Sequence, residues 1–201
     1  MATPIVFIGD SITDAERRTD PAALGFGWVR EVATALRAAG EERDIVNRGI
    51  SGDRVVDLAA RWADDVLALS PSLVTVYVGI NDTWRRYDSD DATSTEDFEN
   101  GYRALLATVA DVPELVVVEP FLTPVTPEQE TWYEDLDPKR AAVARLAEEF
   151  GAAFVPLHGI LTEAAAAHGA AAIADDGVHP TALGVRLIAD AWLARNPRQT
   201  R

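Results

Sequence analysis

A chain of 201 residues is the length of one ordinary domain, and its 48% hydrophobic and 25% charged residues exclude a disordered or low-complexity polypeptide. With 18 basic against 33 acidic residues the net charge is −15, which disfavours nucleic acid, anionic membranes and polyanionic substrates as partners. The absence of cysteine removes disulfides, thiolate metal sites and cysteine nucleophiles together.

Short apolar runs alternate with amphipathic segments along the whole chain, the signature of βα units around a parallel sheet. Pro4 to Gly9 is continuously apolar and predicts a first strand buried on both faces. Trp28, Val29, Val32, Ala33 and Leu36 have helical spacing, with Gly40 as a C-terminal cap. Asp44 to Asn47 predicts a second strand, and Val55 to Leu69 a helix ended by Ser70-Pro71. Leu73 to Val78 is β-branched and aromatic and predicts a third strand. Ser94 opens a helix that runs to about Ala110, with Asp97 in its first turn. Leu115 to Val118 is a fourth strand, Asp137-Pro138 opens a helix to about Phe150, Ala153 to Val155 is a fifth strand, and Thr181 to Ala194 closes the chain as a helix.

Five strands with intervening helices predict an α/β fold: a three-layer α/β/α sandwich around a flavodoxin-like five-stranded parallel sheet, forming a single domain over residues 1–201. The stretch Pro120 to Glu134, with three prolines and then Trp132-Tyr133, reads as a long irregular loop that is functional, an oligomer contact or a rigid surface excursion. No apolar run approaches the ~18–20 residues of a membrane span. No basic and apolar leader precedes the first strand, so the expected compartment is the cytoplasm.

Ligands of open α/β sheets bind beyond the carboxyl ends of the strands. Four polar or glycine-rich turns fall at such places: Gly9-Asp10-Ser11-Ile12-Thr13, Asn47 to Asp53, Gly79-Ile80-Asn81-Asp82, and Asp175 to Pro180 before the last helix. Each supplies a different part of an acyl-transfer site. Ser11, held on a turn after a buried strand, becomes a nucleophile once a base takes its proton. His179 is the best base because histidine titrates near neutrality, and Asp176 lies three residues before it, within reach of the second ring nitrogen. The Gly52 N–H and the Asn81 side-chain amide can serve as donors to a developing oxyanion. His158, at a helix start, and His168, at an alanine-rich helix end, fit structural roles, as do Asn47 and Asp53 as turn braces.

In all four blocks, and in their order, the sequence resembles the SGNH hydrolases, the GDSL-type esterase and lipase superfamily. Gly9-Asp10-Ser11-Ile12 matches the nucleophile block, with isoleucine in place of the namesake leucine; Gly52 and Asn81 match the oxyanion glycine and asparagine, and Asp176-Gly177-Val178-His179 the acid and base block. Gly79 to Asp88, Arg61-Trp62 with Asp64-Asp65-Val66, and Pro120-Phe121 look like the bacterial branch containing intracellular acetylxylan esterases.

The resemblance implies a serine esterase with Ser11, Asp176 and His179 as its triad and Ser11, Gly52 and Asn81 as its oxyanion hole. It calls for no metal and no organic cofactor. The implied partner is a small ester, an acetylated sugar, with a homo-oligomer possible for the chain itself. Asp10, Trp84, Arg85 and Tyr87 are the candidate substrate contacts, and Thr83 to Asp88, following Asn81, is expected to wall the pocket. Asp10 has two other roles open to it, as a phosphoacceptor or as a brace for the nucleophile turn, and Trp84, Arg85 and Tyr87 equally fit an interface patch. The rival functions are a lysophospholipase, thioesterase or general short-chain esterase on the same residues, a metal-dependent hydrolase built on Asp10, Asp14, Asp176 and His179, and a non-catalytic carbohydrate-binding or signalling module.

Overall fold

The computed structural model describes residues 3–195. Among these, five strands, β1 (Ile5–Gly9), β2 (Ile45–Gly49), β3 (Leu73–Tyr77), β4 (Glu114–Val118) and β5 (Ala153–Val155), form one sheet in the order β2-β1-β3-β4-β5. All four pairings are parallel. Successive strand side chains point to opposite faces, so each apolar run feeds two cores. Ile5, Phe7, Leu73, Val116 and Val118 pack on one side and Val6, Ile8, Val74, Val76 and Val117 on the other.

The first side is covered by α2 (Trp28–Ala38), α8 (Leu157–His168), α9 (Ala170–Ile173) and α10 (Ala182–Arg195). Phe7 sits between two fully buried indoles, its ring centroid 5.2 Å from that of Trp28 and 5.3 Å from that of Trp192. Thr75 Oγ1, at the inner end of this core, accepts the Trp192 indole N–H at 3.0 Å, so neither of these two polar groups is stranded. The second side is covered by α3 (Val55–Asp65), α5 (Thr95–Ala107) and α7 (Tyr133–Glu149), through Leu58, Trp62, Phe98, Tyr102, Val143 and Leu146. Three shorter helices lie at the strand ends: α1 (Ser11–Asp14), α4 (Ile80–Asp88) and α6 (Pro127–Glu130).

The expected sandwich and its strands are present, with local differences. The third helix stops at Asp65: Val66 leaves helical geometry, a 3-10 turn covers Leu67–Leu69, and Ser70 is left-handed ahead of Pro71. Pro138 does not open α7 but lies inside it, because the helix begins a turn earlier at Tyr133 and buries Leu136 and the Asp135–Lys139 ion pair. Pro120 to Glu134 is not one irregular loop, since Thr126 caps α6 by accepting the Gln129 N–H at 3.3 Å.

The chain leaves β1 towards β2 on one side and returns to β3 on the other. The carboxyl ends of β1 and β3 therefore flank the point where strand order reverses, the crevice in which ligands of such sheets bind.

Candidate active site

Ser11 stands at this crevice because β1 ends at Gly9 and Asp10 caps the helix that follows. The Asp10 carboxylate accepts the Ile12 N–H at 3.0 Å, and its carbonyl accepts the Asp14 N–H at 2.8 Å. Ser11 is thereby the first residue of α1, where a backbone N–H has no partner inside the helix and points outward. The turn after β2 brings Gly52 alongside at φ +89, a conformation that glycine adopts without a Cβ penalty. Asn81, in the first turn of α4 and 3% exposed, donates its side-chain amide to the Asp53 carbonyl at 3.1 Å, which ties the β3 turn to the β2 turn. Asn47 and Asp53 brace these turns: Asn47 donates to the Thr13 and Leu24 carbonyls, and Asp53 accepts from Arg61 Nε at 2.7 Å. Arg61 also donates to the carbonyls of Gly9 and Arg48 and so staples the ends of β1 and β2 together.

His179 reaches this crevice from the turn before α10. Its Nε2 lies 2.9 Å from Ser11 Oγ and its Nδ1 2.6 Å from Asp176 Oδ2. With a carboxylate at Nδ1 the ring proton sits there, which leaves Nε2 to accept the serine proton. Asp176 Oδ1 accepts the backbone N–H groups of Val178 and His179 at 2.9 and 2.7 Å. Partial burial pushes the Asp176 pKa up, but the hydrogen bond from His179 and these two N–H groups outweigh it and hold the carboxyl below its ordinary value. The arrangement can move a proton from a hydroxyl to an imidazole while a carboxylate fixes the ring.

This turn is clamped by a residue that the sequence did not bring forward. Gln129 of α6 donates Nε2 to the Asp176 carbonyl at 2.7 Å and accepts the Val125 N–H on Oε1 at 2.9 Å. Thr123 adds a backbone bond to the Gly177 carbonyl at 2.9 Å. A Cβ on Gly177, itself at φ +87, would stand 2.7 Å from the Gln129 amide, so the glycine is what lets the clamp close.

The remaining candidates divide. The Trp84 ring lies 6.0 Å from that of His179 and 5.6 Å from that of Trp132. The Arg85 guanidinium lies over Gly52, 3.7 Å from where a Cβ would stand, and pairs with Asp88. Tyr87 stacks on Trp132 at 5.2 Å and donates to the Thr131 carbonyl, so it holds the 120–134 segment against α4. Asp10, named as a substrate contact, is instead 1% exposed beneath Ser11, with Oδ2 buried and without a protein partner. Burial, reinforced by the charges of Asp82 and Asp53, pushes its pKa up to about 7. His158 packs edge-on against Tyr133, and His168 ends α8.

The acids of the metal-dependent alternative are engaged separately. Asp10 caps α1, Asp176 holds His179, and Asp14 accepts from Ser51 and from the Arg17 N–H. No group of three or more histidine, aspartate or glutamate side chains among the described residues could hold a metal ion.

A cavity of about 500 Å³ opens at Ser11 and His179. Its walls are not Thr83 to Asp88 as expected: they come from Ala15, Glu16, Phe26 and Gly27 after α1 and from Pro180 and Val185 at α10. The segment between α1 and α2 has no apolar periodicity, and only the Gly25-Phe26-Gly27 triplet marks it in the sequence.

A family model described as GDSL-like lipase/acylhydrolase matches residues 7–187. The chain belongs to this family. Its five-stranded parallel sheet flanked by helices is the SGNH/GDSL hydrolase fold. The GDSL chain is 36% identical to an acetylxylan esterase of Geobacillus stearothermophilus, over 94% of this chain and 91% of the relative. It superimposes on a Parabacteroides merdae protein described as a GDSL-like lipase with a TM-score of 0.90 at 33% identity, covering 96% and 95% of the two chains. A structure of the Geobacillus esterase Axe2 with its catalytic histidine replaced gives 0.88 at 32% identity, over 97% and 95%. This GDSL esterase is thus related at moderate identity to Axe2. Among its described residues no helix is long and apolar enough to cross a membrane.

Proposed function

We propose that this GDSL esterase removes acetyl groups from carbohydrate hydroxyls through a Ser11–His179–Asp176 triad. The observation that carries the proposal is the unbroken line of hydrogen bonds from Ser11 Oγ through His179 to Asp176 at the mouth of the cavity. Ser11 Oγ attacks the ester carbonyl carbon as its proton passes to His179 Nε2, and Asp176 stabilises the imidazolium that forms. The carbonyl oxygen, now negative, is met by the N–H groups of Ser11 and Gly52 and by the Asn81 amide. The intermediate collapses to acetyl-Ser11, and the departing alkoxide takes the proton from His179. Water then attacks acetyl-Ser11 with His179 as base, releasing acetate and restoring the serine.

Axe2 lends support from two directions. Its catalytic mutants include separate replacements of a serine, an aspartate and a histidine, the last two lying three positions apart, as Asp176 and His179 do here. It acts on acetylated xylooligosaccharide, and here Trp84 offers an aromatic face beside His179 of the kind that sugar rings stack upon.

The test is a substrate series on the wild type and Ser11→Ala. Acetylated methyl xyloside and p-nitrophenyl acetate should be turned over and p-nitrophenyl octanoate poorly, with Ser11→Ala folded and nearly inactive on all of them. An active, folded Ser11→Ala protein refutes the mechanism. A kcat/KM that rises from acetate to octanoate refutes the acetyl specificity.

A further inference from the structure

The cavity is much larger than an acetyl group needs. At about 500 Å³ it falls within the range of sites that enclose whole small molecules, so most of it is left for the alcohol half of the ester. Its outer wall is the segment between α1 and α2, and that wall is built at a cost. Ala15 and Glu16 are consecutive non-glycine residues in the left-handed region, at φ +41 and +61, a conformation that L side chains rarely adopt and that persists only where surroundings enforce it.

Here the enforcement is visible. Ala15 N–H donates to the Ser11 carbonyl at 3.0 Å, the Phe26 N–H to the Ala15 carbonyl at 2.8 Å, and Arg17 Nε to the Gly49 carbonyl at 2.6 Å. The base of the segment is pinned by Asp20, 7% exposed, which accepts the N–H groups of Ala22, Leu24 and Gly25 and pairs with Arg30 at 2.6 Å. Arg30 also donates to the Gly25 carbonyl, and its guanidinium lies 5.1 Å from the Phe26 ring centroid.

The product of this bracing is a phenyl ring held 59% exposed at the cavity wall, beside an exposed carboxylate, both on the same cavity as Ser11 and His179. A ring so exposed forgoes the stabilisation that burial would give it, while the backbone that carries it is tied down at the Gly25 carbonyl and the Phe26 N–H.

We infer that Phe26 and Glu16 form the subsite for the alcohol half of the ester and that they select an uncharged sugar ring: the sugar stacks on Phe26 and donates its hydroxyls to the Glu16 carboxylate. This rests on the esterase reading above. A carboxylate at that place accepts from neutral polyols and repels phosphate- or carboxylate-bearing alcohols, and the cation against Phe26 holds the ring in position for its ligand.

The experiment compares kcat/KM for acetylated methyl xyloside with that for methyl acetate, which has no ring, in the wild type, Phe26→Ala and Glu16→Gln, with circular dichroism to check the fold. The ratio of the two should fall about tenfold in Phe26→Ala, chiefly through KM for the xyloside, equivalent to ~1.4 kcal/mol. Glu16→Gln should lower the same ratio and narrow the preference for the acetylated xyloside over an acetylated glucuronide. An unchanged ratio in both folded variants overturns the subsite and leaves the esterase intact. A shift between acetate and butyrate esters with the ratio constant overturns it too, because the cavity would then hold the acyl half. A wild type that hydrolyses methyl acetate and no acetylated sugar overturns both the carbohydrate assignment and the subsite.

Discussion

Replacing Asp82 with asparagine should flatten the dependence of stability on pH. Asp82 follows Asn81 in α4, is 1% exposed, and offers Oδ2 to the Val55 N–H at 3.2 Å while Oδ1 is buried without a protein partner. Burial is the main cause of a pKa pushed up to about 7 from 3.8; the Val55 bond and the charges of Lys139 and Arg54 only partly oppose it, and Asp57 adds to it. Between those two values the folded protein keeps a proton that the unfolded chain has released. The native state therefore loses stability as pH rises from about 4 through 7, and the loss levels off above that. At ~1.4 kcal/mol per pH unit, the two units of this window that lie above pH 5 amount to ~3 kcal/mol. Asp10 carries the same sign of dependence, and part of its rise comes from the Asp82 charge. His158 runs the other way, since burial and the nearby Arg140 lower its pKa, but its contribution is common to both proteins and cancels in the difference. Urea unfolding of both proteins at pH 5 and pH 8 measures that difference. Asp82→Asn should be level with the wild type or slightly below it at pH 5, where its amide adds an unpaired donor at about 1–3 kcal/mol. By pH 8 the balance should have moved ~3 kcal/mol in its favour. A difference constant across that range refutes the assignment of a buried, proton-holding carboxyl at Asp82.

Asn81→Ala should lower kcat by about 10²–10³ with KM little changed, because an oxyanion donor acts mainly in the transition state; steady-state kinetics on p-nitrophenyl acetate decide it, and a raised KM at constant kcat would make Asn81 a ground-state contact. Gln129→Ala leaves the Asp176 carbonyl and the Val125 N–H without their partner. It should reduce stability by ~2 kcal/mol and kcat by roughly 10–100-fold through a loosened His179 turn, and a thermal melt with a parallel kcat measurement checks both; loss of stability at full kcat would show that the turn holds without its clamp.

Much of the fold was legible because the central strands β1 and β3 bury both faces and so read as apolar runs. Ile5 to Gly9 and Leu73 to Tyr77 are fully buried along their length, and their sequence limits match the observed ones to within a residue. The site turns were legible for a related reason: in a parallel sheet whatever follows a strand lies on one edge, so Ser11, Gly52 and Asn81 had to converge once the strands were placed. Legibility failed where position depends on a side chain reaching a distant backbone. Gln129 meets the Asp176 carbonyl across 47 residues, and no local pattern in Pro120 to Glu134 encodes that bond. Pro138 shows the same limit, since its preference for a first turn yields to a helix that starts at Tyr133 and buries Leu136.

The expectation for the pocket wall failed through geometry. Trp84, three residues after Asn81, returns to the same helix face and meets His179, whereas Tyr87 is carried about 4.5 Å further along the axis and meets Trp132 instead. Adjacency to Asn81 in sequence therefore yields one aromatic beside His179. One wall of the cavity comes from the segment that leaves the same strand end as Ser11 and carries Glu16 and Phe26, and the other from Pro180 and Val185 at α10.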